Sequence, residues 1–145
     1  MSDLIVRIAN WHEECPAIKA IRKSVFQEEQ GVDSALDFDG QDETSEHLIA
    51  SLNKEYVGTA RIKYLDETTA KIERLAVLPV ARGYGVGKKM MEKALEVIDS
   101  KNISEVVINA QEYVKGLYQQ LGFQQEGEVF EEAGIRHVKM TKKLR

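Results

Sequence analysis

Apolar and polar positions change period several times along the 145-residue chain, and each period marks a different kind of element. Residues 4–9, Leu-Ile-Val-Arg-Ile-Ala, have the branched, apolar character of a first strand. Over residues 13–30 the period becomes helical. Ile18, Ile21 and Val25 recur on one face, Ala17 and Phe26 lie beside them, and Gly31 supplies a stop. Residues 47–52 and 56–65 read as two strands around a tight turn at 53–55, and residues 66–69 make a second turn. An antiparallel meander follows from this order. The next strand carries Ile72, Leu75, Ala76, Val77 and Leu78, and Pro79, which has no N–H to give a ladder, ends it. Residues 88–100 return to helical spacing, with Met91, Ala94, Leu95 and Ile98 on one face. Residues 105–110 form another strand, so the unit from 72 to 110 predicts a parallel crossover. A short helix over 113–121 stops at Gly122, and residues 123–130 and 135–142 close the chain as a hairpin around 131–134. The pattern predicts an α/β fold on a mixed sheet.

Between the strand and the helix lie Gly83, Gly85 and Gly87, at alternate positions. Glycine lets main-chain amides approach a ligand closely, and the following helix turns its free N–H groups toward the loop. The combination suits a phosphate. A P-loop requires glycine where Arg82 stands and a hydroxyl where Lys89 stands. The dinucleotide fingerprint requires G-x-G-x-x-G, one residue longer than this run, and a position near the first strand rather than about half-way along the protein. A glycine-rich turn without a ligand is the plain alternative, but it requires neither three alternating glycines nor Arg82. What fits is Arg-x-x-Gly-x-Gly, met by Arg82, Gly85 and Gly87.

That motif resembles the acyl-CoA pyrophosphate loop of the GNAT superfamily of N-acetyltransferases. A second stretch, Leu117-Tyr118-Gln119-Gln120-Leu121-Gly122-Phe123, is similar to the signature that follows the fifth strand in that family. With the meander ahead of them, the resemblance covers nearly the whole chain as one domain, residues 1–145. It implies a central, mostly antiparallel sheet of six or seven strands with one splayed parallel pair, flanked by helices. It also implies transfer of an acetyl group from acetyl-CoA to an amine, by direct attack in a ternary complex. A non-catalytic acyl-CoA sensing module on the same fold is the alternative.

The resemblance carries over to particular residues. The loop from Gly83 through Tyr84, Gly85, Val86 and Gly87 to Lys88 would hold the pyrophosphate, with Arg82, Lys89 and Lys115 adding positive charge. Leu75, Ala76 and Val77 would lie against pantetheine, and main-chain N–H groups there would receive the oxyanion. Asn109 is a polar partner on the neighbouring strand. Tyr118 matches the tyrosine placed near sulfur as general acid, and Glu73 is the best placed carboxylate for the base, with a water chain as the other route. The pattern departs at Gln111, where the family commonly has Asn, and at Val114, where it has Ala; glutamine keeps the amide.

Charge distribution bears on the acceptor. Residues 24–53 hold no lysine or arginine but eight carboxylates, Glu28, Glu29, Asp33, Asp37, Asp39, Asp42, Glu43 and Glu46. An EF-hand fails there, because Gln41 and Asp42 stand where a ligand and the obligatory glycine belong, so no metal is expected. A solvated acidic loop is one reading. The other is a rim that attracts a cationic small molecule or a lysine or N-terminal amine, with Glu28 and His47 on the acceptor side. The stretch from Ile21 to Gln30, the acidic loop and Glu46-His47-Leu48-Ile49-Ala50 are similar to a bacterial GNAT subgroup mostly of unassigned substrate.

Net charge of −4 argues against nucleic acid as a partner. The single Cys15 fits a reducing compartment, and no leader or apolar span is evident, so a cytoplasmic protein away from membranes is expected. Members of the family often form homodimers, which the sequence here neither requires nor excludes.

Overall fold

The structure is a computed structural model that describes residues 3–145. Strand β1 (Leu4–Ile8) is followed by helix α1 (Trp11–Arg22), whose N-terminus is capped by the Asn10 side chain accepting from the Glu13 N–H. The predicted helix over 13–30 is real but changes character. From Lys23 to Glu29 the ladder widens to a π-helix, and the Gln30 N–H reaches back to the Val25 carbonyl. Ile18, Ile21 and Val25 stay on the buried face, and the wider turn carries Phe26 and Gln30 to the cleft described below. A short helix, α2 (Ser34–Asp37), capped by Asp33, lies in the acidic segment and has no counterpart in the apolar pattern.

The meander follows as β2 (Glu46–Leu52), β3 (Glu55–Tyr64) and β4 (Thr69–Val77), each antiparallel to the one before it. Asn53 and Lys54 turn the first hairpin with φ of 51° and 71°. Helix α3 (Val86–Asp99) leads to β5 (Glu105–Gln111), and α4 (Lys115–Gln120) leads to β6 (Gln124–Gln125), β7 (Phe130–Glu132) and β8 (Ile135–Lys143). The sheet order is β1-β2-β3-β4-β5-β8-β6, with β7 on β8. The two-residue β6 and three-residue β7 bring the count to eight, beyond the six or seven expected, because the single strand expected over 123–130 breaks around Gly127.

Helix α3 buries Val86, Met90, Met91, Ala94, Val97 and Ile98, while Leu95 is only half-buried. It packs so close to β3 that a Cβ at Gly58 would meet Met90 Sδ at 2.9 Å and the Ala76 carbonyl at 3.3 Å. Glycine at 58 is therefore a condition of the helix sitting where it does.

Two irregularities of β4 open the site. First, β4 and β5 are parallel but pair only from Thr69–Glu105 to Lys71–Val107. Beyond that the strands diverge. Second, Thr59 pairs with Ala76 and Arg61 with Glu73, so Arg74 and Leu75 together face Ala60 in a bulge. Arg74 takes φ of 55°, a left-handed conformation that costs a side-chain-bearing residue about 1 kcal/mol or more.

Candidate active site

The divergence of β4 and β5 leaves a cleft of about 630 Å³. One end is the glycine loop. Gly85 caps α3 with φ of 76° and no side-chain partner, and the first helical bond runs from the Lys89 N–H to the Gly85 carbonyl. The amides of Val86, Gly87 and Lys88 therefore have no acceptor within the helix. Gly83, Gly85, Gly87 and Lys88 all line the cleft. Leu75, Ala76 and Val77 form its β4 wall, and Asn109 and Tyr118 face them from the β5 side. The residues predicted for the donor line this one cleft with three exceptions, one of them Lys89, which is exposed on α3. Tyr84 is 59% exposed and turns away, and Lys115 lies outside the cleft with its Nζ 2.5 Å from Gln125 Oε1.

Arg82 is at the loop but already occupied. Its guanidinium donates to both Glu29 oxygens at 2.5 Å, and its Nε donates to the Val77 carbonyl at 3.1 Å. A pyrophosphate at this loop, as the resemblance implies, would have to displace or share that carboxylate. The pair is well exposed, so its net worth is small. Glu29→Gln is expected to tighten acetyl-CoA binding about twofold to fivefold. Calorimetric titration checks this; weaker binding in the variant would instead make Glu29 the group that aims Arg82.

Tyr118 is 8% exposed, packs edge-on to Phe123 at 6.2 Å, and its hydroxyl makes no hydrogen bond among the described residues. Burial, with a smaller contribution from Tyr113, pushes its pKa up to about 12. The phenol is therefore protonated at neutral pH and free to donate into the cleft.

Glu73 also lines the cleft, but its carboxylate is clamped. Arg61 donates to it from Nε at 2.9 Å and Nη2 at 2.5 Å, and Lys71 lies at 3.3 Å. Burial pushes its pKa up, yet Arg61, Lys71 and Arg74 outweigh burial and hold it below the ordinary carboxylate range. Such a carboxylate is a poor proton acceptor.

Part of the acidic segment, residues 36–42, is folded onto the sheet by ion pairs, while Glu28, Asp33 and Glu43 stay exposed. Arg22, 1% exposed, binds Asp37 and Asp42, and Arg61, equally buried, binds Asp39, Asp42 and Glu73. Arg74 adds contacts to Asp39 and to the carbonyls of Leu36 and Asp37. Three arginines from α1, β3 and β4 thus fold residues 36–42 onto the sheet. Asp37 lines the cleft, and its Oδ2 is buried without a partner. Among the described residues no group of three or more His, Cys, Asp or Glu is arranged to hold a metal.

Neither residue expected on the acceptor side lines the cleft. Glu28 is exposed on the π-helix and does not line the cleft. His47 is 2% exposed, stacks on Trp11 at 4.3 Å, and its Nε2 lies 2.8 Å from the Asp42 carbonyl. Burial lowers its pKa, so it is a neutral core side chain on the side away from the cleft. The cleft instead recruits Phe26, Gln30, Leu36, Asp37, Ile135 and His137. The Gln111 amide donates to Gln30 Oε1 at 3.0 Å across the opening. No sequence spacing foretold these residues, because they arrive from segments far apart in the chain; only the glutamine at 111 stood out, as a departure from a family pattern.

A diverging parallel pair, a helix N-terminus with unpaired amides at one end and a buried phenol opposite are the elements of the acyltransferase site that the sequence motifs led us to expect. A family model described as an acetyltransferase (GNAT) domain matches residues 13–144. YyaT of Bacillus subtilis is 37% identical over 139 residues, covering 94% of this chain and 90% of YyaT. ElaA of Escherichia coli is 34% identical over 133 residues, 88% of this chain and 86% of ElaA. The crystal structure of E. coli ElaA matches at TM-score 0.83 and 30% identity, over 98% of this chain and 99% of that one. A GNAT family acetyltransferase from Elizabethkingia anophelis, solved with acetyl-CoA bound, shares the fold at TM-score 0.75 and 19% identity, over 97% of this chain and 98% of that one. The chain belongs to the GNAT family of acetyltransferases. It is an N-acetyltransferase, and its family transfers an acyl group from acetyl-CoA.

Proposed function

We propose that the cleft binds acetyl-CoA and an amine together, and that the amine attacks the thioester directly. The observation that carries this reading is the gap between β4 and β5, which has donor groups at one end and Tyr118 on its wall. The pyrophosphate sits on the amides of Val86, Gly87 and Lys88, with Arg82 and Lys88 supplying charge. Pantetheine runs along Leu75–Val77, with Asn109 opposite. The bulge at Arg74 and Leu75 takes main chain out of the regular ladder, so N–H groups there are available to the oxyanion.

Tyr118 serves the leaving group. A thiol ionises near pKa ~8.5, well below a phenol raised to about 12, so net proton transfer to the thiolate is uphill. The phenol therefore acts by donating a hydrogen bond that strengthens as charge develops on sulfur. Tyr118→Phe is expected to lower kcat about tenfold while leaving the acetyl-CoA Kd within about twofold. Steady-state kinetics beside calorimetry separate the two effects; equal turnover would remove Tyr118 from the mechanism.

The acceptor is a small-molecule or peptide amine that enters between the π-helix, residues 30–37 and the β7–β8 hairpin. Phe26, Val32, Leu36 and Ile135 make that wall largely apolar, and arginines already pair with Asp37, Asp39 and Asp42 of the acidic segment. An amine with an apolar neighbour fits better than a polycation. The direct test is acetyl-CoA titration followed by an amine panel read by free thiol. No binding at millimolar acetyl-CoA sinks the proposal; binding without thiol release from any amine favours a sensing module.

A further inference from the structure

We propose that His137, supported by Glu132, takes the proton from the acceptor amine. The inference rests on the N-acetyltransferase reading above. An aliphatic amine is an ammonium ion at neutral pH and cannot attack until it loses a proton, so the cleft needs a base.

The other titratable groups on its wall are spoken for. Glu73 is clamped by Arg61 and Lys71, and Asp37 is held through Oδ1 by Arg22 while its unpartnered Oδ2 is closed off from solvent. Lys71, Arg74, Arg82 and Lys88 are cations, and Tyr118 is needed as a donor. That leaves the hairpin. His137 stands on β8 opposite Gln111, at the open end of β5 and two residues beyond the level of Asn109. It is 7% exposed, and Phe130 backs its ring at 5.9 Å and 23°.

The hydrogen bonding of the ring defines which nitrogen can accept. Nδ1 lies 2.7 Å from the Ile135 carbonyl. A carbonyl only accepts, so Nδ1 carries the hydrogen, and the lone pair of the neutral ring is on Nε2. Glu132 Oε2 is 3.6 Å from that same Nε2. The half-exposed Glu132 side chain offers a route from that nitrogen to water. The remaining charge nearby, Arg136, is paired with Glu112 at 3.0 Å. The hairpin therefore presents one uncommitted base, oriented by its own backbone and backed by one carboxylate.

Nε2 takes one proton from the ammonium and later gives it to solvent. The freed nitrogen lone pair forms the C–N bond to the acetyl carbon. The C–S bond breaks with its electron pair leaving on sulfur, under the Tyr118 hydrogen bond. The second N–H proton is lost to water, and the thiolate regains a proton to leave as the free thiol.

A test compares wild type, His137→Gln and Glu132→Gln by thiol release from acetyl-CoA. The nucleophiles are primary alkylamines, which arrive protonated, and hydroxylamine, which arrives neutral. His137→Gln is expected to lose about 100-fold in kcat/KM with alkylamines and less than about threefold with hydroxylamine, with acetyl-CoA affinity unchanged by calorimetry. Glu132→Gln, at an exposed position, should fold normally and lose about fivefold with alkylamines only. Equal losses with both nucleophiles, or none, overturn the proposal. If His137→Gln does not fold, unchanged alkylamine turnover in Glu132→Gln overturns it. Wild type that binds acetyl-CoA but releases no thiol overturns both this base and the catalytic reading, whereas failure to bind acetyl-CoA strikes the donor site first.

Discussion

Gly87→Leu is expected to leave the fold intact and weaken acetyl-CoA binding roughly a thousandfold. Gly87 is the second residue of α3 and has no positive φ, so leucine suits its backbone better than glycine does. There is also room. Outside the helix itself, the only atom near a Cβ at 87 is Val77 Cγ2, at 4.0 Å. That atom belongs to the β4 wall of the cleft, so the new side chain grows into the space proposed for the donor. It would hold a pyrophosphate off the amides of Val86, Gly87 and Lys88. Losing two such charge-assisted hydrogen bonds costs about 3–6 kcal/mol. Thermal unfolding should show the variant as stable as wild type or slightly more so, and calorimetry should show little heat with acetyl-CoA. Near-normal affinity would place the phosphates elsewhere. Gly85 is a less clean test, since its φ of 76° would strain any replacement as well as block the ligand.

Arg61→Met is expected to cost about 3–5 kcal/mol of stability, roughly 10 °C or more in Tm. Methionine keeps the apolar stem but leaves Asp39, Asp42 and Glu73 without their shared cation in a buried site. The pH dependence carries a sign that checks the cause. Hydrogen bonds from Arg61 lead in lowering the Asp39 pKa, and Arg22 and Arg61 outweigh burial to lower that of Asp42. Glu73 is lowered likewise, against its burial. Groups depressed in the folded state stabilise it above their unfolded pKa, about 4, and that contribution is lost as pH falls below it. Wild type should therefore lose stability as pH drops from about 4 toward 2. In Arg61→Met the difference from wild type should shrink over the same window, because the carboxylates protonate. A variant within about 2 °C of wild type at pH 7 would show that the cluster is not a stabilising hub.

Much of the fold follows from local chemistry. The meander, α3 and the β4–β5 unit appear in the period of their apolar residues, because each buries one face and that face must repeat with the backbone. Gly31 and Pro79 fall where elements end, because a ladder cannot continue past a left-handed turn or a missing N–H. The π-helix, α2 and the break between β6 and β7 escaped this reasoning. A widened turn changes the period by only one residue, and four-residue or shorter elements are too brief to show one.

The glycine loop proposed for the donor was equally legible, and it lines the cleft. A phosphate loop is made of backbone, and the glycines that free that backbone are contiguous in sequence. The acceptor half was not. Eight carboxylates in residues 24–53 looked like a free negative surface, yet Arg22, Arg61 and Arg74 neutralise Asp37, Asp39 and Asp42 from three other elements. His47 sits in a strand whose face could not be assigned from its neighbours, and the sheet puts it against Trp11. His137 carried no spacing clue; its role depends on the splay of β5, on Gln111 across the ladder and on Glu132 around a turn. The sequence alone determined what is held by contiguous backbone: the elements, the glycine loop and the family. Only the tertiary structure decided which charges are already paired, because an ion pair depends on distances between residues tens of positions apart, and those distances exist only once the sheet has formed.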